Sequence, residues 1–177
     1  ADTVAAARLR SLRKLFPHGD NNGAGIGVNM SDEESGALTL VFSMLSMDKT
    51  GVTCQFDSRC PICSNNENVK NVVVNALKAE GFEVDDREMN PPHHVPADSD
   101  FVKELLSVYE DYTGLKGEPI AIGGGTYVHH LENGVAFGCA MPGTDNKMHG
   151  ADEFAVVEEL ILSAEMFAQI IIDLCAE

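Results

Sequence analysis

Three prolines fall within six residues in the segment Pro91-Pro92-His93-His94-Val95-Pro96, which runs on into Ala97-Asp98-Ser99-Asp100. Proline lacks a backbone N–H and fixes its own φ, so this stretch cannot be the interior of a helix or a sheet. It reads as a linker, and each side of it has to be understood as a folding pattern of its own.

The N-terminal side alternates element types. Residues 2–16 predict a helix with Leu9, Leu12 and Leu15 on one side, stopped by Pro17. A Gly/Asn-rich loop, HGDNNGAGIGVN, comes next. Its GxGxG spacing is a poor match to a phosphate-binding loop, and a plain loop is the simpler reading. The run Ser31-Asp32-Glu33-Glu34-Ser35 reads as a solvated turn. Residues 37–47 and 51–59 predict two strands joined at Asp48-Lys49-Thr50-Gly51, a hairpin connection. Asn65 or Asn66 can cap a following helix that carries Val69, Val72, Val73, Ala76 and Leu77 at helical spacing. Gly81 ends that helix, and Phe82–Met89 predicts another strand.

On the C-terminal side, Asp98 or Ser99 precedes a helix that closes at Gly114. Two short strands are expected, one in EPIAI and one within GVAFGCAMPG, on either side of Gly123-Gly124-Gly125-Thr126-Tyr127-Val128-His129-His130. Residues 152–175 form the longest helical pattern in the chain. Three successive glycines are costly for a turn with no other purpose, and they suit a backbone that a ligand approaches closely.

Charge narrows the function. Twelve Lys and Arg face 28 Asp and Glu, a formal charge of −16. Four of those basic residues (Arg8, Arg10, Arg13, Lys14) lie in the first helix, so the remainder is more acidic still. Nucleic acid and anionic membrane surfaces attract basic patches and are therefore not expected partners. No apolar run approaches the ~20 residues of a membrane span, and no signal peptide is evident, so a cytoplasmic location is expected. Five scattered cysteines suit a reducing compartment. The Cys60-Pro61-Ile62-Cys63 pair has redox or zinc-ribbon spacing, but no second such pair exists and it follows a strand instead of opening a helix.

The succession from PPHHVPADSD through TG, GGGTYVHH and GVAFGCAMPG to MPGTDNKMHGADEF resembles the C-terminal part of bacterial dipeptidases. These belong to the dinuclear-zinc superfamily that includes aminoacylases, carnosinases and carboxypeptidase G. The resemblance covers roughly residues 28–177, is strongest from Pro91 onward, and includes CQFDSRCP. It implies an α+β chain: a partial ferredoxin-like βαββαβ lid sheet in residues 1–97 and the returning part of a catalytic domain in residues 98–177.

The resemblance also implies site roles. His149 matches the histidine that closes the zinc site, and imidazole nitrogen suits this borderline ion. Asp152 and Glu153 are expected beside the ligand or at a helix start. Gly124, Gly125 and Thr126 match the turn that holds the C-terminal end of a dipeptide substrate. His129 stands where these dipeptidases usually carry an arginine that grips a carboxylate. The family reaction uses two zinc ions to activate water, with a carboxylate moving the proton. The remaining ligands and that carboxylate lie upstream of the matched region, so the chain is expected to be an inactive fragment. A freestanding acidic binding or regulatory domain that keeps the fold is the alternative. An upstream reading frame carrying the missing ligands would separate the two.

Overall fold

A computed structural model describes residues 3–138 and 140–175. Asp2 and Cys139, placed by the sequence in the first helix and in a short strand, lie outside them. Two compact units are present: the first runs to His93 and takes in Ala121–Gly124, and the second holds His94–Ile120 and residues from Gly125 onward.

In the first unit, helix α1 (Val4–Leu15) starts where Thr3 Oγ1 accepts the Ala6 N–H at 3.2 Å. Arg13 and Lys14 fill its last turn, where cations complement the helix dipole. Leu12 and Leu15 are buried, while Leu9 stays 40% exposed. Next come a two-residue pair, β1 (Ser31–Asp32) with β2 (Gly36–Ala37), and then the expected hairpin of β3 (Thr39–Met47) with β4 (Val52–Arg59). Both hairpin strands lie in one antiparallel sheet, with a register shift between Phe42 and Met44. Asp48 fixes the turn by accepting the N–H groups of Thr50 at 2.7 Å and Gly51 at 3.1 Å.

Asn65 is the cap of the next helical segment. Its side chain accepts from Glu67 and Asn68, and Asn68 Oδ1 accepts from the Asn65 N–H in return. A π-turn, Asn66–Lys70, leads into α2 (Asn71–Ala79). Val69, Val73 and Leu77 then join Leu15, Ile26, Val28, Leu38 and Leu40 in one buried cluster. Phe16 adds ring contacts to Phe42 and Phe56, with centroids 5.1 and 5.5 Å apart.

The expected strand Phe82–Met89 does not form. Phe82 and Val84 pack on the buried cluster two positions apart, and Met89 packs there too but out of that alternation; the segment follows α2 instead of joining the hairpin. Asp86 pairs with Lys70 and Lys78, each at 2.9 Å, and Asn66 Oδ1 accepts the Met89 N–H at 3.2 Å. These side-chain partners on one helix replace the ladder bonds of a strand. The α+β class holds, with a hairpin where the lid sheet was expected to be larger.

Gly81 ends α2 in the left-handed region at φ +76°. A Cβ there would come within 2.4 Å of the Arg8 guanidinium, which bonds the Glu80 carbonyl and lies over the Phe82 ring. Ser11 and Lys14 hold the Glu80 carboxylate at 2.6 and 2.5 Å. Gly81→Ala is therefore expected to cost about 1–2 kcal/mol for the backbone alone, plus disruption of the Arg8 contact, read as a lower urea midpoint.

The run expected to be a solvated turn has a structural task. Asp32 accepts the Ser35 N–H at 2.6 Å and the Cys63 N–H at 3.3 Å, and Ser35 Oγ accepts the Ile62 N–H at 2.9 Å. The bonds made to Asp32 by Ser35, led by its N–H, and by Cys63 lower the Asp32 carboxyl from 3.8 to about 2. A carboxylate with a depressed folded-state pKa stabilises fully above its unfolded value and ceases to do so as pH falls through its folded value. Melting temperatures should therefore drop as pH falls from 3.8 toward about 2. Asp32→Asn should flatten that part of the profile; an unchanged profile would remove Asp32 from this account.

In the second unit, α3 (Asp100–Thr113) begins at Ser99, whose Oγ accepts the Val102 N–H at 3.3 Å, and ends at Gly114 with φ +67°. It packs on α4 (Val157–Cys175) through Leu105, Val108, Met166 and Ile170, with Phe101, Tyr109, Val135, Phe137, Met141 and Leu162 around them. The last helix starts five residues later than its sequence pattern suggests, because Asp152 takes φ +58° and breaks the run. The expected strands in residues 118–122 and 134–138 do not form, because no partner strand pairs with them among the described residues.

Candidate functional site

The loop before α4 is built from short-range bonds. Glu159, in the first turn of α4, accepts the Met141 N–H at 3.3 Å and the Thr144 hydroxyl at 2.5 Å, which pins the Met141–Thr144 end of the loop to the helix. Asn146 takes the Met148 N–H on its side chain and the Phe154 N–H on its carbonyl, both at 3.2 Å, and so closes residues 146–154 into a ring. Sequence inspection missed both residues, since neither carries a local signal for this role. The first-turn acids of α4 are Glu158 and Glu159, so Asp152 and Glu153 are not helix-start residues.

His149 lies at the tip of this ring. Gly150 donates to the Lys147 carbonyl at 2.7 Å, and Lys147, His149 and Asp152 all adopt left-handed backbone, with φ of +56°, +62° and +58°. Three such residues within six positions each carry a local conformational cost, of about 1–2 kcal/mol for a residue with a Cβ. Strain of this kind concentrates at functional loops. The His149 side chain is exposed and has no hydrogen-bond or ion-pair partner among the described residues. Both ring nitrogens are thus free to bind something.

The Gly123–His130 turn is organised differently. The unit boundary falls between Gly124 and Gly125. None of the three glycines is left-handed, a Cβ on Gly124 would meet nothing within 4 Å, and one on Gly125 would lie 3.8 Å from the His129 ring. Neither backbone conformation nor crowding by described residues requires glycine at 124 or 125; their effect is to leave open space. Tyr127–His130 then forms a single 3-10 turn. Thr126 and His129 are brought together: His129 Nδ1 accepts the Thr126 N–H at 2.8 Å. Thr126 Oγ1 is buried with no hydrogen-bond partner among the described residues.

The described residues contain no group of three or more His, Cys, Asp or Glu placed to hold a metal ion. Cys60 and Cys63 are free thiols. Desolvation, then the neighbouring Asp32 carboxylate, pushes the Cys63 thiol up, the reverse of what a redox or metal-binding thiolate needs.

Comparison with known proteins agrees with this arrangement of motifs. Residues 2–173 match the profile of Peptidase family M20/M25/M40. "Putative dipeptidase YtjP" of Bacillus subtilis is 35% identical over 157 residues, covering 88% of this chain and 33% of the relative. "Putative dipeptidase SH1171" of Staphylococcus haemolyticus is 29% identical over 163 residues, 92% of this chain and 35% of that protein. The chain thus spans about a third of the length of these curated relatives. With the profile matched over nearly all its length, the chain belongs to Peptidase family M20/M25/M40.

Proposed function

We propose that this chain is the C-terminal third of a zinc-dependent dipeptidase. Residues 1–97 form part of the lid and residues 98–177 the returning part of the catalytic domain. His149 contributes one metal-binding imidazole. Gly124, Gly125, Thr126 and His129 form the wall that receives the C-terminal end of a dipeptide. The observation carrying this reading is His149 itself, an unpartnered imidazole on a left-handed loop within a match to a peptidase family.

The residues present do not suffice for zinc. Catalytic zinc sites use about three protein ligands, and the described residues gather no group of three His, Cys, Asp or Glu that could hold a metal ion. The metal therefore depends on groups outside this chain, and the present residues bind and orient without activating water. A neutral imidazole carries a single N–H donor where a guanidinium presents a fork, so His129 is suited to a weaker grip on a substrate carboxylate than an arginine.

The test is assay and metal analysis of the purified chain. It should hydrolyse no dipeptide of a small panel above background and retain zinc weakly, in less than equimolar amount. Equimolar zinc surviving dialysis, or measurable turnover, would overturn the assignment of a single ligand. Tight binding of a non-peptide ligand without hydrolysis would favour a binding domain instead.

A further inference from the structure

A cleft of about 340 Å³ lies within the first unit, between the end of α1 and strand β3. Leu9, Leu12 and Phe16 line it from the helix and the residue after it, and Leu40, Phe42 and Leu45 from the strand. Leu12 and Leu40 are buried, while Leu9, Phe42 and Leu45 remain partly open to solvent. Arg13, His18 and Asp20 line the same cleft. Of the cations on α1, Arg8 bonds the Glu80 carbonyl and Lys14 the Glu80 carboxylate. Arg13 has no hydrogen-bond or ion-pair partner among the described residues, and neither has the His18 side chain. In a chain with 28 Asp and Glu, that leaves a guanidinium beside an apolar cleft and open to a ligand. Asp20 is anchored instead: its Oδ1 accepts the Asn22 and Ala24 N–H groups and its Oδ2 the Gly25 N–H. These bonds, led by that from Gly25, hold the carboxyl below its ordinary value and therefore charged near neutral pH. Oδ2 keeps a lone pair for one further donor.

We propose that this cleft binds a free apolar amino acid, its carboxylate on Arg13, its ammonium on Asp20 and its side chain against the leucines and phenylalanines. A guanidinium fork matches a carboxylate with two parallel hydrogen bonds. Asp20 repels a bare carboxylate but attracts the ammonium that an amino acid carries beside it. The zwitterion has no net charge, so the −16 of the chain does not oppose it as it opposes an anion. The cleft volume falls at the small end of ligand sites, about 300–1,000 Å³, which suits one amino acid better than a longer peptide. Its lining belongs wholly to the first unit, whereas His129 and His149 belong to the second. Peptide hydrolysis is the class of reaction that supplies such a ligand, so on the proposed function the cleft meets products of the enzyme itself.

The test reads binding without hydrolysis, so its failure and that of the proposed activity are separate results. Nitrogen-15 amide spectra of the 177-residue chain are followed as L-phenylalanine is added. Signals of Gly19, Leu40 and Leu45 should move and saturate with a Kd on the order of 1 mM, as befits a ligand of so few atoms. Three probes each lack one part: 3-phenylpropionate the ammonium, phenethylamine the carboxylate, and glycine the apolar body. Each should bind about tenfold more weakly or worse. Arg13→Ala should weaken L-phenylalanine by a similar factor and leave the melting temperature nearly unchanged, because Arg13 has no partner to lose. Arg87→Ala, which removes a cation outside the cleft, should leave binding as it was. Equal binding of 3-phenylpropionate and L-phenylalanine, normal binding by Arg13→Ala, or no saturable shift at about ten times that concentration would each overturn the proposal. So would self-association abolished by Leu45→Asp, which would place a second copy in the cleft. Loss of binding when the chain replaces the matching third of the Bacillus subtilis relative would place other polypeptide there and overturn it equally.

Discussion

When the chain replaces the matching third of the Bacillus subtilis relative and plays the part proposed for it, His149→Ala is expected to lower kcat/KM for dipeptides on the order of a thousandfold, about 4 kcal/mol of transition-state stabilisation. The reasoning starts from coordination. A catalytic zinc ion held by about three protein groups cannot lose one without loss of occupancy or of geometry. His149 makes no hydrogen bond or ion pair with the described residues, so its removal breaks no internal contact and should leave the melting temperature nearly unchanged. That separation makes the result interpretable. Zinc content measured on the same preparations should fall with activity, and His149→Gly should behave like Ala despite relieving the left-handed φ of +62°. Normal turnover with full zinc in His149→Ala would remove the residue from the metal site, and the proposed role of the loop with it.

Local chemistry was the legible part of this fold. The hairpin could be read because its alternation and its Asp48–Gly51 turn are adjacent in sequence. Helices α2 and α3 could be read because Asn65, Ser99 and Gly114 are caps that act within a few residues. The segment Phe82–Met89 could not, since Phe82 and Val84 meet the core equally well from a strand or from an irregular chain, and the choice was made by Lys70 and Lys78. The part played by Asp32 was hidden for a related reason. Its bond to the Cys63 N–H spans 31 positions. At the candidate site, no spacing rule distinguishes His149 from a surface histidine; the family resemblance located it, and the structure added its free imidazole and its strained backbone.

Leu38→Ala should produce the largest stability loss in the first unit, about 3–5 kcal/mol. Leu38 is fully buried, lies between β2 and β3, and donates its N–H to the Met30 carbonyl at 2.9 Å. Its side chain belongs to the cluster that gathers Ile26 and Val28 from the glycine-rich loop, Leu40 from the hairpin and Val69, Val73 and Leu77 from the segment ending in α2. A cavity there would border elements with little freedom to collapse. Asp20 pins the loop by accepting the Gly25 N–H at 2.6 Å and the Ala24 N–H at 3.1 Å, and the hairpin is held by its own ladder. The full cavity penalty should therefore persist without relaxation. Against a typical domain stability of about 5–15 kcal/mol, a loss of that size removes a large fraction of the margin. Val41→Ala is the control, because Val41 is 45% exposed on β3, just after Leu38 in the chain, and should cost well under the Leu38 value. Urea unfolding followed by circular dichroism would compare the two. A Leu38→Ala midpoint no lower than that of Val41→Ala would mean that the loop, hairpin and α2 do not share one cooperative core.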